Sequence, residues 1–200
     1  MNHKVRKIRK KLKSELDTDR YEHTLGVMYT ASSLAMCHGE DIEKALLAGL
    51  LHDCAKCIPS ETKIRLCDKY HLSISEVEMK NPSLLHAKLG AFLAARNYHV
   101  ENREIVDAIA CHTTGRPHMS RLDKILYIAD YIEPGRRELP NMEDVREMAF
   151  QDLDECMYEI LKDTLEYREG DSAEDIEPTS KEAYRYYKEL HIKRSTEKNS

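Results

Sequence analysis

The chain has 200 residues, 41% of them hydrophobic and 34% charged, with a formal net charge of −5. This is the length of one domain, with enough apolar residues for a real core. No apolar run approaches the roughly 20 residues of a membrane helix, and the acidic balance argues against a general nucleic-acid binder.

The first residues, MNHKVRKIRKKLK, are basic but lack the apolar stretch of a secretory signal. The expected location is cytoplasmic, with no membrane partner and nucleic acid disfavoured. In that setting the six cysteines read as buried thiols rather than bridges. Residues 1–14 hold seven Lys/Arg and no acid, and Val5, Ile8 and Leu12 fall at helical spacing. A basic helical arm is expected there. Docking through its three apolar residues is the favoured role, and contact with RNA or an anionic surface is the alternative.

Helix signals then follow one another. Asp17 or Thr18 caps a helix to about Cys37, and Gly39 stops it. Asp41 opens a helix whose stretch Ala45–Leu51 is wholly apolar, which places it centrally. It ends at His52-Asp53, before Pro59. Ser60 caps a helix over Glu61–Lys69, and Ser75 a short turn before Asn81-Pro82. Further helices are expected over His86–Asn97, Asn102–Cys111 and Ser120–Glu133, the last stopped by Pro134-Gly135. One long helix is expected over Asn141–Tyr167, ended by Gly170, and a final one opens at Pro178. Nothing after about Arg194 suggests order. No alternating strand pattern is present. The expected fold is all-α, a compact helical array in a single domain. Residues 1–14 are its basic arm, 15–192 the domain with the helices of 141–192 packed on it, and 193–200 a tail.

The chemistry lies in the histidines. In chain order the candidates are His23, the adjacent His52 and Asp53, His86, His112 and Asp130. Neighbours on a regular helix point about 100° apart, so His52 and Asp53 reach one ion only where the helix breaks. The loop Cys54–Pro59 supplies that break. Imidazole nitrogen with carboxylate oxygen suits iron, manganese, cobalt or zinc. His23, His52, Asp53 and Asp130 would offer two neutral and two anionic ligands, leaving positions for water and a substrate oxygen, as metal-assisted hydrolysis needs. His3, His38, His71, His99, His118 and His191 receive no role. Cys54-Ala55-Lys56-Cys57 has no second Cys pair and no βαβ setting, so it reads as two small thiols beneath the His-Asp loop, whose oxidation would disturb the site.

The H…HD…D pattern across helices resembles the HD-domain metal-dependent phosphohydrolases. Within them, RYEHTLGV (20–27), GLLHDCAK (49–56), HAKLGA (86–91), CHTTGRPHMSRLDKILYIADYIEPGR (111–136) and PTSKEAY (178–184) resemble the YqeK-type branch, the symmetrical bis(5′-nucleosyl)-tetraphosphatases. The resemblance covers roughly residues 5–190. It implies an HD-domain helical array that splits diadenosine tetraphosphate at its centre into two ADP, by attack of metal-bound water or hydroxide, with iron favoured. It implies metal ligation by His23, His52, Asp53 and Asp130, and places Arg20, Lys56, His86, His112, Thr113 and Arg136 near the phosphates. Thr179 and its surroundings would close over the nucleotide. His52, Asp53, Lys56 and Asp130 would carry the chemistry. For His86 and His112, phosphate contact is favoured and a second metal stays open. A homodimer also stays open. The alternatives are an HD-type nucleotidase or phosphodiesterase on another nucleotide, and a non-catalytic nucleotide-binding regulator.

Overall fold

The computed structural model describes residues 3–137, 139–168 and 176–198. Among them there are helices and no strand. The basic arm is α1 (His3–Glu15), and it buries Val5, Ile8 and Leu12. Lys4 Nζ also donates to the His99 carbonyl at 3.0 Å, which ties the arm to a distant loop.

Helix α2 (Thr18–His38) starts where Asp17 accepts the Arg20 N–H, and ends where Gly39 takes a left-handed conformation, φ 67°. Asp41 caps α3 (Ile42–Leu51) through the N–H groups of Glu43 and Lys44. The short helices α4 (Ser60–Lys69) and α5 (Glu76–Lys80) lead into α6 (Leu85–Tyr98). Ser75 and Glu78 form a reciprocal capping box on α5. At α4 the expected Ser60 cap is not found: Ser60 is already helical, and Pro59 precedes it without a side-chain cap. Asn102 caps α7 (Arg103–Cys111), and Ser120 with Asp123 forms the capping box of α8 (Arg121–Ile132).

The expected long helix over Asn141–Tyr167 is two helices, α9 (Met142–Ala149) and α10 (Leu153–Arg168). Its apolar spacing survives the break, which hid it. The cause is Asp152, whose Oδ1 accepts the Asp154 and Glu155 N–H groups and so starts a new helix. The expected stop at Gly170 lies outside the described residues. Helix α11 (Pro178–Lys198) does not stop near Arg194. Arg194 instead reaches Asp152 at 3.1 Å and Asp154 at 2.6 Å, fastening the end of α11 to the start of α10.

Helix α8 packs against α2, α3, α7, α9 and α10. Six of its side chains from Ile125 to Ile132, Asp130 and Tyr131 apart, and Leu122 and Asp123 before them, make it the axis of the core: Ile125, Leu126, Ile128 and Ala129 are fully buried. Helices α2 and α3 cross so closely that a Cβ at Gly49 would lie 2.8 Å from Met28 Cα and 3.0 Å from Met28 N. Those atoms are backbone, so α3 would have to move away. Gly49→Ala is therefore expected to lose about 1–3 kcal/mol, read as a lower midpoint in thermal melting followed by circular dichroism. An unchanged midpoint would show that the two backbones have room to separate.

All six cysteines are free thiols. Cys54 is buried, but Cys57 is exposed, so the pair does not lie together beneath the loop. Their sulfurs face different partners: Cys54 the Gly90 carbonyl, Cys57 the Asp17 carboxylate.

Candidate metal and phosphate site

Helix α3 ends at Leu51, and the chain continues through turns closed over three residues. Cys54 N–H donates to the Leu51 carbonyl at 3.2 Å and Lys56 N–H to the Asp53 carbonyl at 2.9 Å. This is the break expected from the sequence. It turns Asp53 to the same side as His52: Asp53 Oδ2 lies 3.5 Å from His52 Nε2.

Four histidines meet there. His23 Nε2 is 3.3 Å from His52 Nε2, and His86 Nε2 is 3.2 Å from His112 Nε2. The far nitrogen of each ring already has an acceptor. Nδ1 of His52, His86 and His112 lies 2.6–2.7 Å from the carbonyls of Gly49, Ser83 and Ile109, and Nδ1 of His23 lies 2.9 Å from Glu133 Oε1. Those acceptors fix the proton on Nδ1 and leave Nε2 as the basic nitrogen. Two basic nitrogens facing each other at hydrogen-bond distance have no proton to share. The arrangement calls for a cation between them.

The anions are placed to match. Asp130 Oδ1 is 3.0 Å from His23 Nε2 and 3.8 Å from His52 Nε2. Asp53 serves both histidine pairs, with Oδ2 toward His52 and His23 and Oδ1 3.2 Å from His86 Nε2 and 3.8 Å from His112 Nε2. Asp53 is 2% exposed, yet Oδ1 accepts no aligned hydrogen bond. A buried carboxylate oxygen left this way is costly in an apolar interior and suits a metal ligand. Two donor sets converge closely enough to hold an ion: His23, His52 and Asp130, and His52, Asp53 and His112.

The titration behaviour has the same origin. Burial opposes ionisation of Asp53, but His52, with His112 and His86, outweighs it and holds the carboxyl well below the usual range. Burial likewise opposes ionisation of Asp130, and His23, His52 and Arg136 hold it low. His52 is raised above its ordinary value because Asp53 and Asp130 outweigh its own burial. Burial, helped by His112 and Lys56, lowers His86 to about 4, so its imidazole is neutral near pH 7.

Cations ring the cluster. Arg20 Nη1 is 2.7 Å from Asp53 Oδ2, and Arg136 reaches Asp130 twice, through the carboxylate and the backbone carbonyl, each at 2.7 Å. Lys56 Nζ lies 3.4 Å from His86 Nε2, and burial lowers its ammonium below the ordinary lysine value. Thr113 Oγ1 is 3.2 Å from His86 Nε2. A cleft of about 200 Å³ opens onto Arg20, Asp53, Lys56, His86, His112, Thr113, Asp130 and Arg136.

The structure thus brings together Arg20, His23, His52, Asp53, Lys56, His86, His112, Thr113, Asp130 and Arg136, while Thr179 is not among the described residues that line this cleft. That residue stands in the first turn of α11, and the described residues lining the cleft include Thr164 of α10 instead. Helix α11 reaches the neighbourhood through Ala183, which with Tyr127 crowds Gly115: a Cβ there would come within 3.4 and 3.6 Å of them. Sequence reasoning missed Tyr127, Tyr131 and Thr164 in the cleft wall, and Glu133 behind His23. The tyrosines carry no polar signal on a helix that reads as core. Glu133 had one: an acid between a helix end and Pro134-Gly135, three residues after a candidate ligand.

Comparison with known proteins agrees with this geometry. The family model for the HD domain matches residues 20–135. A protein of Bacillus subtilis named bis(5′-nucleosyl)-tetraphosphatase, symmetrical, is 40% identical over 154 residues, covering 77% of this chain and 82% of that one. Its namesake from Staphylococcus aureus is 36% identical over 163 residues, covering 80% and 83%. A crystal structure from Clostridium acetobutylicum, described as a "predicted HD superfamily hydrolase involved in NAD metabolism", superposes with a TM-score of 0.87 at 38% identity. It covers 92% of this chain and 96% of that one.

Proposed function

This chain belongs to the HD-domain family, among its symmetrical bis(5′-nucleosyl)-tetraphosphatases, and from that premise we propose that it hydrolyses diadenosine tetraphosphate into two ADP. The observation that carries the reading is the convergence of four basic Nε2 atoms and two carboxylates at the floor of a cleft walled by Arg20, Lys56 and Arg136. That combination takes a divalent cation below and a polyphosphate above.

His23, His52, Asp53 and Asp130 would hold the ion, with iron the favoured identity and manganese, cobalt and zinc compatible with the same donors. When bound, a divalent metal lowers the pKa of water and polarises a phosphoryl oxygen. The protein does the rest. The cleft, at about 200 Å³, is smaller than the roughly 300–1,000 Å³ of a pocket that swallows a drug-sized ligand. It admits the central phosphates and leaves the nucleosides at its mouth. Arg136 offers a planar fork to one phosphate, and Lys56 a compact charge to another. Arg20 holds Asp53 in place and adds a third positive charge. Water oxygen adds to one inner phosphorus, the bond from that phosphorus to the central bridging oxygen breaks, and ADP departs with the oxygen. Lys56 and Arg136 balance the charge that develops on the leaving group.

His86 and His112 support a different role from the phosphate contact that their positions first suggest. Their Nδ1 atoms are committed to carbonyls, which leaves Nε2 as the lone-pair nitrogen on the side where a phosphate oxygen would need a donor. Their Nε2 atoms face each other beside Asp53 Oδ1, which favours a second cation there.

The test is turnover of diadenosine tetraphosphate by metal-loaded protein, with products separated by chromatography. ADP as the sole product is expected. ATP with AMP would overturn symmetric cleavage.

A further inference from the structure

We propose that Glu133 is a positioning residue that orients His23 for metal ligation and couples that ligand to the turn bearing Arg136. The inference rests on the metal reading above.

The four imidazoles differ in how they are held. His52 and His112 stand at the ends of α3 and α7, where carbonyls lack helical partners, and His86 follows a tight turn. Each takes its acceptor from three residues back. His23 lies inside α2, whose carbonyls are occupied by the helix itself. Its acceptor must come from elsewhere, and Glu133, 110 residues away, supplies it at 2.9 Å.

Glu133 is built into place. It is 2% exposed. Its Oε1 faces His23 Nδ1, its Oε2 accepts the Gly135 N–H at 2.7 Å, and its carbonyl accepts the Arg136 N–H at 3.0 Å. Space for the carboxylate is left by a missing side chain: a Cβ at Gly26, one turn along from His23, would lie 2.3 Å from Oε2 and 3.0 Å from Cδ. One group therefore fixes a ligand on α2 and the backbone that presents Arg136.

Both oxygens are needed as acceptors. In Glu133→Gln the introduced amide has one acceptor for two N–H donors. If its oxygen serves Gly135, its NH₂ confronts His23 Nδ1 and favours the tautomer with the proton on Nε2, which cannot ligate. Carboxylate charge also raises the basicity of the ligand it holds.

The experiment measures Co²⁺ affinity by chelator competition, with Co²⁺ alone as probe, on wild type, Glu133→Gln, Gly26→Ala, Glu133→Ala and the double variant Gly26→Ala with Glu133→Ala, with folding checked by circular dichroism. Glu133→Gln is expected to weaken Co²⁺ binding by about 10–100-fold and to change the Co²⁺ absorption spectrum at saturation. Gly26→Ala, which pushes the carboxylate away without altering it, is expected to shift affinity in the same direction, and to add no further loss in a Glu133→Ala background. Should Glu133→Gln not fold, Gly26→Ala decides. Wild-type affinity and spectrum in the folded variants would overturn this inference alone. Absence of Co²⁺ binding by the wild type would overturn the metal reading itself and this inference with it.

Discussion

Asp53→Ala is expected to strip the protein of metal and to lower hydrolysis of diadenosine tetraphosphate by at least about 1,000-fold. Asp53 lies within 4 Å of the Nε2 atoms of both histidine pairs. Asp53 Oδ2 lies 3.5 Å from His52 and 3.8 Å from His23, while Oδ1 lies 3.2 Å from His86 and 3.8 Å from His112. Its removal takes one of two anions from a group of basic nitrogens and leaves the Arg20 guanidinium, now 2.7 Å from that carboxylate, without its partner. A positive charge freed there repels a divalent ion. Asp53→Asn separates charge from shape, since it keeps the volume but brings an NH₂ that no metal accepts. His52→Ala should behave alike, because it deletes a fully buried nitrogen aimed at the same point. Metal content is read by elemental analysis after gel filtration, and turnover by chromatography. Metal retained at wild-type occupancy in Asp53→Ala and His52→Ala would overturn the ligand assignment.

Lys56→Ala is expected to lower turnover by about 100-fold while leaving metal content unchanged. Lys56 follows Asp53 by one tight turn, Lys56 N–H to Asp53 carbonyl at 2.9 Å, which carries its side chain into the cleft. Its ammonium is partly withdrawn from water, which lowers its pKa, and a charge in such a place acts on a phosphate more strongly than one at the surface. An ammonium has no lone pair for a metal, so the loss should fall on the chemical step and on substrate binding. The contrast with Asp53→Ala is the point: one variant loses turnover with its metal, the other loses turnover and keeps it. Lys56→Arg should recover little, because a planar guanidinium does not reproduce the compact charge that the ammonium places 3.4 Å from His86 Nε2. Wild-type kcat and KM in Lys56→Ala would remove Lys56 from the site.

Much of this was legible because its causes are local. A cap acts within three residues, so Asp17, Asp41, Ser75, Asn102 and Ser120 announce their helices in the sequence. Apolar spacing marks the buried face of α1 at Val5, Ile8 and Leu12. His52-Asp53 at the end of an apolar helix is legible for the same reason: the break that lets both side chains meet lies next to them. Where two local signals compete, spacing misleads. The apolar pattern runs through 150–152, while a cap from Asp152 cuts the helix there.

What the sequence determined by itself was the all-helical character, most helix starts, and the residues able to ligate metal or bind phosphate. Tertiary structure alone decided how they are shared out. Asp53 divides its oxygens between two histidine pairs, Thr164 of α10 joins the cleft wall, Cys57 parts from Cys54, and Glu133 comes up behind His23. The reason is physical. Periodicity reports which face of a helix is buried, and composition reports which atoms could bind, but a mid-helix imidazole must take its acceptor from another part of the chain. Which part that is depends on packing, here on the bare Cα of Gly26 that lets the Glu133 carboxylate in.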